Sequence, residues 1–218
     1  MRICKDIGMS AIDRPKTSCR HCTTFCRATC YNVKTYRRFP KAMKAKDLAL
    51  EQEWQEMTGE SVAGMIGRKR SFTGRVRLMT RGEAFKTVSD VEKVRDMILA
   101  APDTVFWIPT RAWRNRVLRR LVSMRIRRLP NVKVLASLDP SNSRKEVNSL
   151  VDGGWSTMYY GDDSATFFVR SIVKGVAHGL TWRVKCPKTW DHKLGHCATC
   201  ETGCFSENQI HIILKQHS

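Results

Sequence analysis

Between Arg75 and Lys185 short apolar runs alternate with amphipathic stretches. The runs Arg75 to Thr80, Thr104 to Thr110, Val132 to Leu138, Ser156 to Tyr160 and Leu180 to Lys185 predict five strands, with a further one near the N-terminus. Between them lie segments with helical spacing. Asp90 to Ala101 carries Ser89 or Asp90 as cap, and Arg114 to Leu129 is stopped by Pro130. Residues 143–151 end at Gly153-Gly154, and 165–178 end at Gly179. Upstream, a helix is expected over Asp47 to Thr58. Gly59, Gly64 and Gly67 then break the pattern, and Arg68-Lys69-Arg70 reads as a surface loop.

Strands separated by helices of roughly 10–15 residues imply βαβ units and a parallel sheet. The chain is therefore expected to form a single α/β domain over residues 1–218, a partial or open (β/α) barrel with Cys-rich segments at both ends. In such folds the reactive groups collect where the carboxyl ends of the strands meet the βα loops. The polar residues expected there are Arg81, Glu83, Thr110, Arg111 and Asp139.

Composition adds two departures from the average. Lys plus Arg number 39 against 20 Asp plus Glu, a formal charge of +19. Such a field attracts nucleic acid or another polyanion. The 42% of hydrophobic residues supports a buried core, and no run approaches the ~18 apolar residues that span a bilayer. The opening Met1-Arg2-Ile3-Cys4-Lys5-Asp6 lacks a signal-peptide pattern, so a reducing cytoplasm and no membrane are expected.

The second departure is nine cysteines, eight of them in two tight groups. Odd number and grouping favour metal over a disulfide framework. The C-terminal group (186–205) holds Cys186, Cys197, Cys200 and Cys204; four such sulfurs complete a tetrahedral Zn²⁺ or a [4Fe–4S] cluster. His192 or His196 could replace a thiolate in the zinc case. The N-terminal group, Cys19, Cys22, Cys26 and Cys30, lies in a basic segment (14–46) with ten Lys or Arg and no acid. Cys22, Cys26 and Cys30 stand four apart, so one helix would stack them on one face, binding a cluster through three cysteines with the fourth iron left open or capped by Cys19. Alternatively Cys19 and Cys22 pair with Cys197 and Cys200 as zinc knuckles. Arg20, Arg27, Lys34, Arg37 and Arg38 would offset the negative charge of a thiolate site.

A third feature is a run of eight Arg and no acid from Arg111 to Arg128. Arg116, Arg119, Arg120 and Arg127 fall on one helical face and are the expected phosphate contacts. Among the tryptophans, Trp107 and Trp182 fit strand cores, whereas Trp113 and Trp190 are the surface candidates for base stacking.

The ordered set Cys22-x3-Cys26-x3-Cys30-Tyr31, Arg81-Gly82-Glu83, Thr110-Arg111-Ala112-Trp113, Ser137-Leu138-Asp139-Pro140 and Cys186-Pro187…Cys197-x2-Cys200-x3-Cys204-Phe205 resembles the bacteriophage "gene product 88" family. The resemblance implies a phage-encoded protein of the host cytoplasm with paired cysteine clusters. The layout also looks like the radical-SAM partial barrel, in which three cysteines bind a [4Fe–4S] cluster and SAM takes its fourth iron. The cysteine gaps there are three then two, and this chain departs from them. One or two clusters with redox or radical chemistry on a nucleic acid or acidic macromolecule is one expectation. The other is a non-catalytic, zinc-stabilised protein that binds nucleic acid or a host protein. No Ser/His/Asp set, Walker loop or carboxylate pair points to a hydrolase.

Overall fold

The computed structural model describes residues 2–4, 9–68, 73–161, 182–186 and 209–215. Strand β1 (Arg2–Cys4) leads to β2 (Met9–Ile12), after which α1 (Thr24–Thr29), α2 (Tyr31–Arg38), α3 (Pro40–Glu56) and α4 (Gly59–Gly67) precede β3 (Arg75–Leu78). The alternation then runs α5 (Val88–Leu99), β4 (Val105–Thr110), α6 (Arg116–Arg125), β5 (Val132–Leu138), α7 (Arg144–Asp152) and β6 (Ser156–Gly161). Two more strands follow, β7 (Trp182–Lys185) and β8 (Ile210–Lys215).

All eight strands form one open sheet in the order β1-β2-β3-β4-β5-β6-β8-β7. Strand β1 pairs antiparallel with β2, and every other pairing is parallel. From β2 to β6 each connection steps to the next strand in the same direction. With right-handed crossovers, that winding lays the helices on one face of the sheet. The packing agrees: Phe106 and Ile108 of β4, with Val134, Ala136 and Leu138 of β5, join Val91, Val94, Ile98, Leu118, Val122, Val147 and Leu150 from α5 to α7 in one core. The opposite face carries a smaller cluster of Trp107, Leu135, Met158, Ile210 and Ile212, against which Cys186 packs.

Helix starts follow the side chains. Thr87 caps α5 and Ser143 caps α7, each in a reciprocal capping box, and Asn115 caps α6 by accepting from the amides of Val117 and Leu118. Thus α5 begins two residues before the expected start, and α6 stops at Arg125 rather than Leu129.

Three expectations fail upstream. The helix expected from Asp47 begins at Pro40, because Pro is well placed in a first turn and Met43, Asp47, Leu50 and Trp54 make one buried stripe from there. Gly59, Gly64 and Gly67 lie inside α4, where Val62 is fully buried and Thr58 supplies a cap strong enough to offset glycine's cost. Strand β3 ends at Leu78, since Met79 takes a left-handed φ of 68°. The expected helix over 165–178 lies outside the described residues.

Candidate functional site

Strand β2 is the first parallel strand, and the chain leaving its carboxyl end passes over the tops of its neighbours. Asp13 comes first. Its Oδ1 accepts from the Thr80 amide (2.8 Å), the Thr80 hydroxyl (2.7 Å) and the Arg81 amide (2.9 Å), tying β2 to the loop after β3. Ser18 accepts from the Glu83 amide at 2.8 Å, and Thr23 donates to Asp139 Oδ2 at 2.5 Å above β5. Phe25 meets Tyr160 of β6 edge-on, with ring centroids 6.4 Å apart. The Tyr31 hydroxyl donates to the Thr80 carbonyl at 3.1 Å. The segment 13–31, which carries four cysteines, therefore lies across the carboxyl ends of β3, β5 and β6.

Beneath it the strand-end residues form a closed network. Glu83 is buried, accepting from the Thr110 hydroxyl at 2.6 Å and the Arg111 amide at 2.8 Å. Burial pushes its carboxyl above the usual range, against the opposing pull of these donors. Arg111 Nη1 reaches Asp139 Oδ2 at 2.8 Å, and Asp139 Oδ1 accepts from the Ser141 amide and hydroxyl. Burial would raise Asp139, but the Ser141 and Thr23 donors and the Arg111 cation outweigh it and hold the carboxyl low. Arg81 belongs to a separate buried group, an ion pair with Asp47 beside Tyr36 and Met43. Of the five strand-end residues expected, Glu83, Thr110, Arg111 and Asp139 come together and Arg81 stands apart. All five are engaged with their neighbours, so they brace the loops.

The thiols are placed by this scaffold. The single-helix stack of Cys22, Cys26 and Cys30 does not form. Helix α1 spans only Thr24–Thr29, with Cys22 in the loop before its Thr23 cap and Cys30 at the break where the backbone turns extended (ψ 117°) before α2. Thr23 accepts from the Cys26 amide, and the stack is lost because the cap sits between the first two cysteines. What forms instead is a row. Cys26 Sγ donates to Cys22 Sγ at 3.8 Å, and the Cys19 thiol neighbours Cys22, all three being free thiols. The Cys19 contact and burial push the Cys22 thiol up to about 11, against the lowering pull of Cys26 and Arg111. The Cys22 contact and burial push Cys26 still further up, opposed by the Arg111 cation. Among the described residues, no three His, Cys, Asp or Glu side chains gather about one point.

The other expected sites divide. Cys186 is half-buried at the end of β7, its amide donating to the Ile213 carbonyl at 2.9 Å. Cys197, Cys200 and Cys204 lie outside the described residues, as do His192, His196 and Trp190. On α6, Arg116 and Arg120 are exposed. Arg119 instead donates to the Ser149 carbonyl at 2.6 Å, and Arg127 to the carbonyls of Gly153 and Gly154. Those two guanidiniums cap α7, so half of the expected cationic face is structural. Trp113 is also no surface residue: it is 4% exposed and donates to the Ser137 carbonyl. Sequence reasoning missed Asp13, Ser18 and Thr23. Thr23 could have been found as a cap, since it precedes a short helical run.

The model of the family described as Gene product 88 matches residues 5–208. No curated protein and no solved structure matches the chain.

Proposed function

The chain belongs to the gene product 88 family, and we propose that it is a metal–thiolate protein built on a partial (β/α) barrel, with Cys19, Cys22, Cys26 and Cys30 holding an iron–sulfur cluster at the carboxyl edge of the sheet. The observation that carries this reading is the row of thiols on the loop after the first parallel strand, fixed over the strand ends by the Thr23–Asp139 bond. Four cysteine thiolates are the complement that a [4Fe–4S] cluster takes. Cys186, Cys197, Cys200 and Cys204 make a second set of the same chemistry on the connection from β7 to β8.

When bound, such a cluster would supply one-electron chemistry, and, where Cys19 leaves the fourth iron open to SAM, reductive cleavage of that cofactor. The chain's own residues do the rest. Asp139 and Thr23 fix the start of α1 and so the position of Cys26. Arg111 beneath and the exposed Arg20 and Arg27 beside the thiols offset the negative charge of thiolates. The excess of Lys and Arg draws a polyanionic partner to the same edge of the molecule.

One observation favours a second reading. Two thiolates on one tetrahedral zinc, with bonds of about 2.3 Å, stand about 3.8 Å apart, which is the Cys22–Cys26 separation. The alternative is then a zinc-stabilised binding protein without catalysis. Anaerobic purification followed by iron, sulfide and zinc analysis separates them. Iron with matching sulfide supports the cluster, and colourless protein with stoichiometric zinc and no sulfide overturns it. If iron is present, 5′-deoxyadenosine formed from SAM by the reduced protein identifies the radical branch, and no product with the cluster intact excludes it.

A further inference from the structure

The acid-free stretch 14–46 folds into α1, α2 and the first turns of α3. On α2, Tyr31, Lys34 and Arg38 follow i, i+3, i+7 spacing and share an exposed face, while Asn32 on the other side is buried. Phe39 joins the two helices, and Lys41 and Lys44 continue the exposed row along α3. Lys34, Lys41 and Lys44 make no ion pair or hydrogen bond among the described residues. The acids that bound the stretch are already used: Asp13 accepts three hydrogen bonds and Asp47 is paired with Arg81. Cations in the first turn of α3 also oppose the helix dipole. Their placement therefore does not serve the stability of that helix.

Two aromatic rings lie in this row. Tyr31 is 58% exposed although its hydroxyl is sunk against the Thr80 carbonyl, so the ring is held as a fixed, open face. Phe39 is 52% exposed, with the Arg38 guanidinium 5.3 Å from its centroid. A duplex hides its base faces and offers only phosphates to such a surface. A single strand offers phosphates to the lysines and unstacked bases to the rings, the pairing that single-strand binders use.

We propose that the α2–α3 lip, through Tyr31, Lys34, Arg38, Phe39, Lys41 and Lys44, is a docking surface for a single-stranded nucleic acid, delivered beside Cys30 at the end of the thiol-bearing segment. The inference shares with the reading above the expectation of a polyanionic partner, but it needs no metal. It also moves the interface from α6 and the turn after it, where two of the four expected arginines are committed to α7.

The test is fluorescence anisotropy on the full chain, anaerobically purified and again after chelation. The probes are labelled 12-nucleotide single-stranded DNA and RNA, the matched DNA duplex, and inorganic polyphosphate. The inference expects single strands to bind more tightly than duplex and polyphosphate, with the DNA and RNA arms identifying which sugar is preferred. Lys34→Gln, Arg38→Gln, Lys41→Gln and Lys44→Gln together should lower the salt slope by about 2.8, at roughly 0.7 per phosphate contact on a single strand. Tyr31→Ala or Phe39→Ala should weaken single-strand binding roughly five- to a hundred-and-fifty-fold, the range of base–aromatic stacking. Tyr31→Phe should leave it unchanged, which separates stacking from a folding defect. Equal binding of duplex and single strand, insensitive to both aromatic truncations, would overturn the inference, as would loss of binding on Arg116→Gln/Arg120→Gln alone. Binding that survives chelation leaves the lip standing whatever becomes of the metal reading. Absence of binding in protein that retains its metal sinks the lip alone.

Discussion

Asp139 is the side chain on which the position of the thiol segment turns, and removing its charge gives a worked prediction. The carboxylate is wholly enclosed. It accepts from Thr23 at 2.5 Å and from Ser141, and it faces Arg111 at 2.8 Å, whose side chain is only 11% exposed. Asp139→Asn keeps the volume and takes from the nearly buried Arg111 cation its ion-pair partner, leaving only the weaker pull of Glu83. Stranding one partner of a buried pair costs about 3–5 kcal/mol. The residual exposure of Arg111 lets water relieve part of this, so the lower end, about 3 kcal/mol, is expected. Thr23→Ala should cost about 2–3 kcal/mol, from a hydrogen bond to a charged acceptor and a helix cap. The two residues share one bond, so the double variant should cost less than the sum, with a coupling of about 1–2 kcal/mol. Urea unfolding, followed by tryptophan fluorescence and far-UV circular dichroism, reads all three. A loss below 1 kcal/mol for Asp139→Asn, or strict additivity with Thr23→Ala, would refute the claim that this carboxylate anchors the segment.

Other sites give sharp expectations as well. Burial would raise the Asp90 carboxyl, but the Arg14 ion pair and the Thr87 and Trp54 donors hold it below its ordinary value. It therefore contributes stability that is full above the unfolded value of about 3.9 and is lost as pH falls below it. Asp90→Asn should flatten the acid limb of stability against pH below about 4, and an unchanged limb would contradict the assignment. Gly82 has φ +86°, and an added Cβ would stand 2.7 Å from the Arg14 carbonyl oxygen and 2.8 Å from Ser18 Oγ. Gly82→Ala should cost roughly 2–4 kcal/mol from backbone strain and overpacking together, read as a thermal-melting shift. Arg119→Gln and Arg127→Gln should lower the melting temperature through loss of the α7 carbonyl contacts, whereas Arg116→Gln and Arg120→Gln should leave it within about 0.5 kcal/mol of the parent.

The βαβ core was legible because its signals are local and periodic. Strand β5 falls on Val132–Leu138 as the apolar run predicts, and β4, β6, α5 and α7 lie within one or two residues of expectation. Less legible were elements fixed by distant partners. Strand β8 has a mostly apolar run, Ile210–Leu214 interrupted by His211, but its place between β6 and β7 depends on pairing across a long connection. Helix α4 overrides three glycines because Val62 packs in the core. At the site, residue types at the strand ends were readable and their roles were not. Glu83, Arg111 and Asp139 read equally as catalytic groups or as braces, and only their mutual distances show the bracing contacts. The cysteine spacing suggested one helical face because periodicity alone ignores a threonine that ends one backbone conformation and begins another.

The claim on which the metal reading depends is that Cys19, Cys22 and Cys26 are ligands rather than free thiols. Iodoacetamide footprinting of the anaerobically purified chain, mapped by mass spectrometry before and after removal of metal by a chelator, tests it residue by residue. The account predicts that these three cysteines resist alkylation in the native chain and become modified together once metal is removed. Equal labelling of all three in the native and the chelated protein would contradict it.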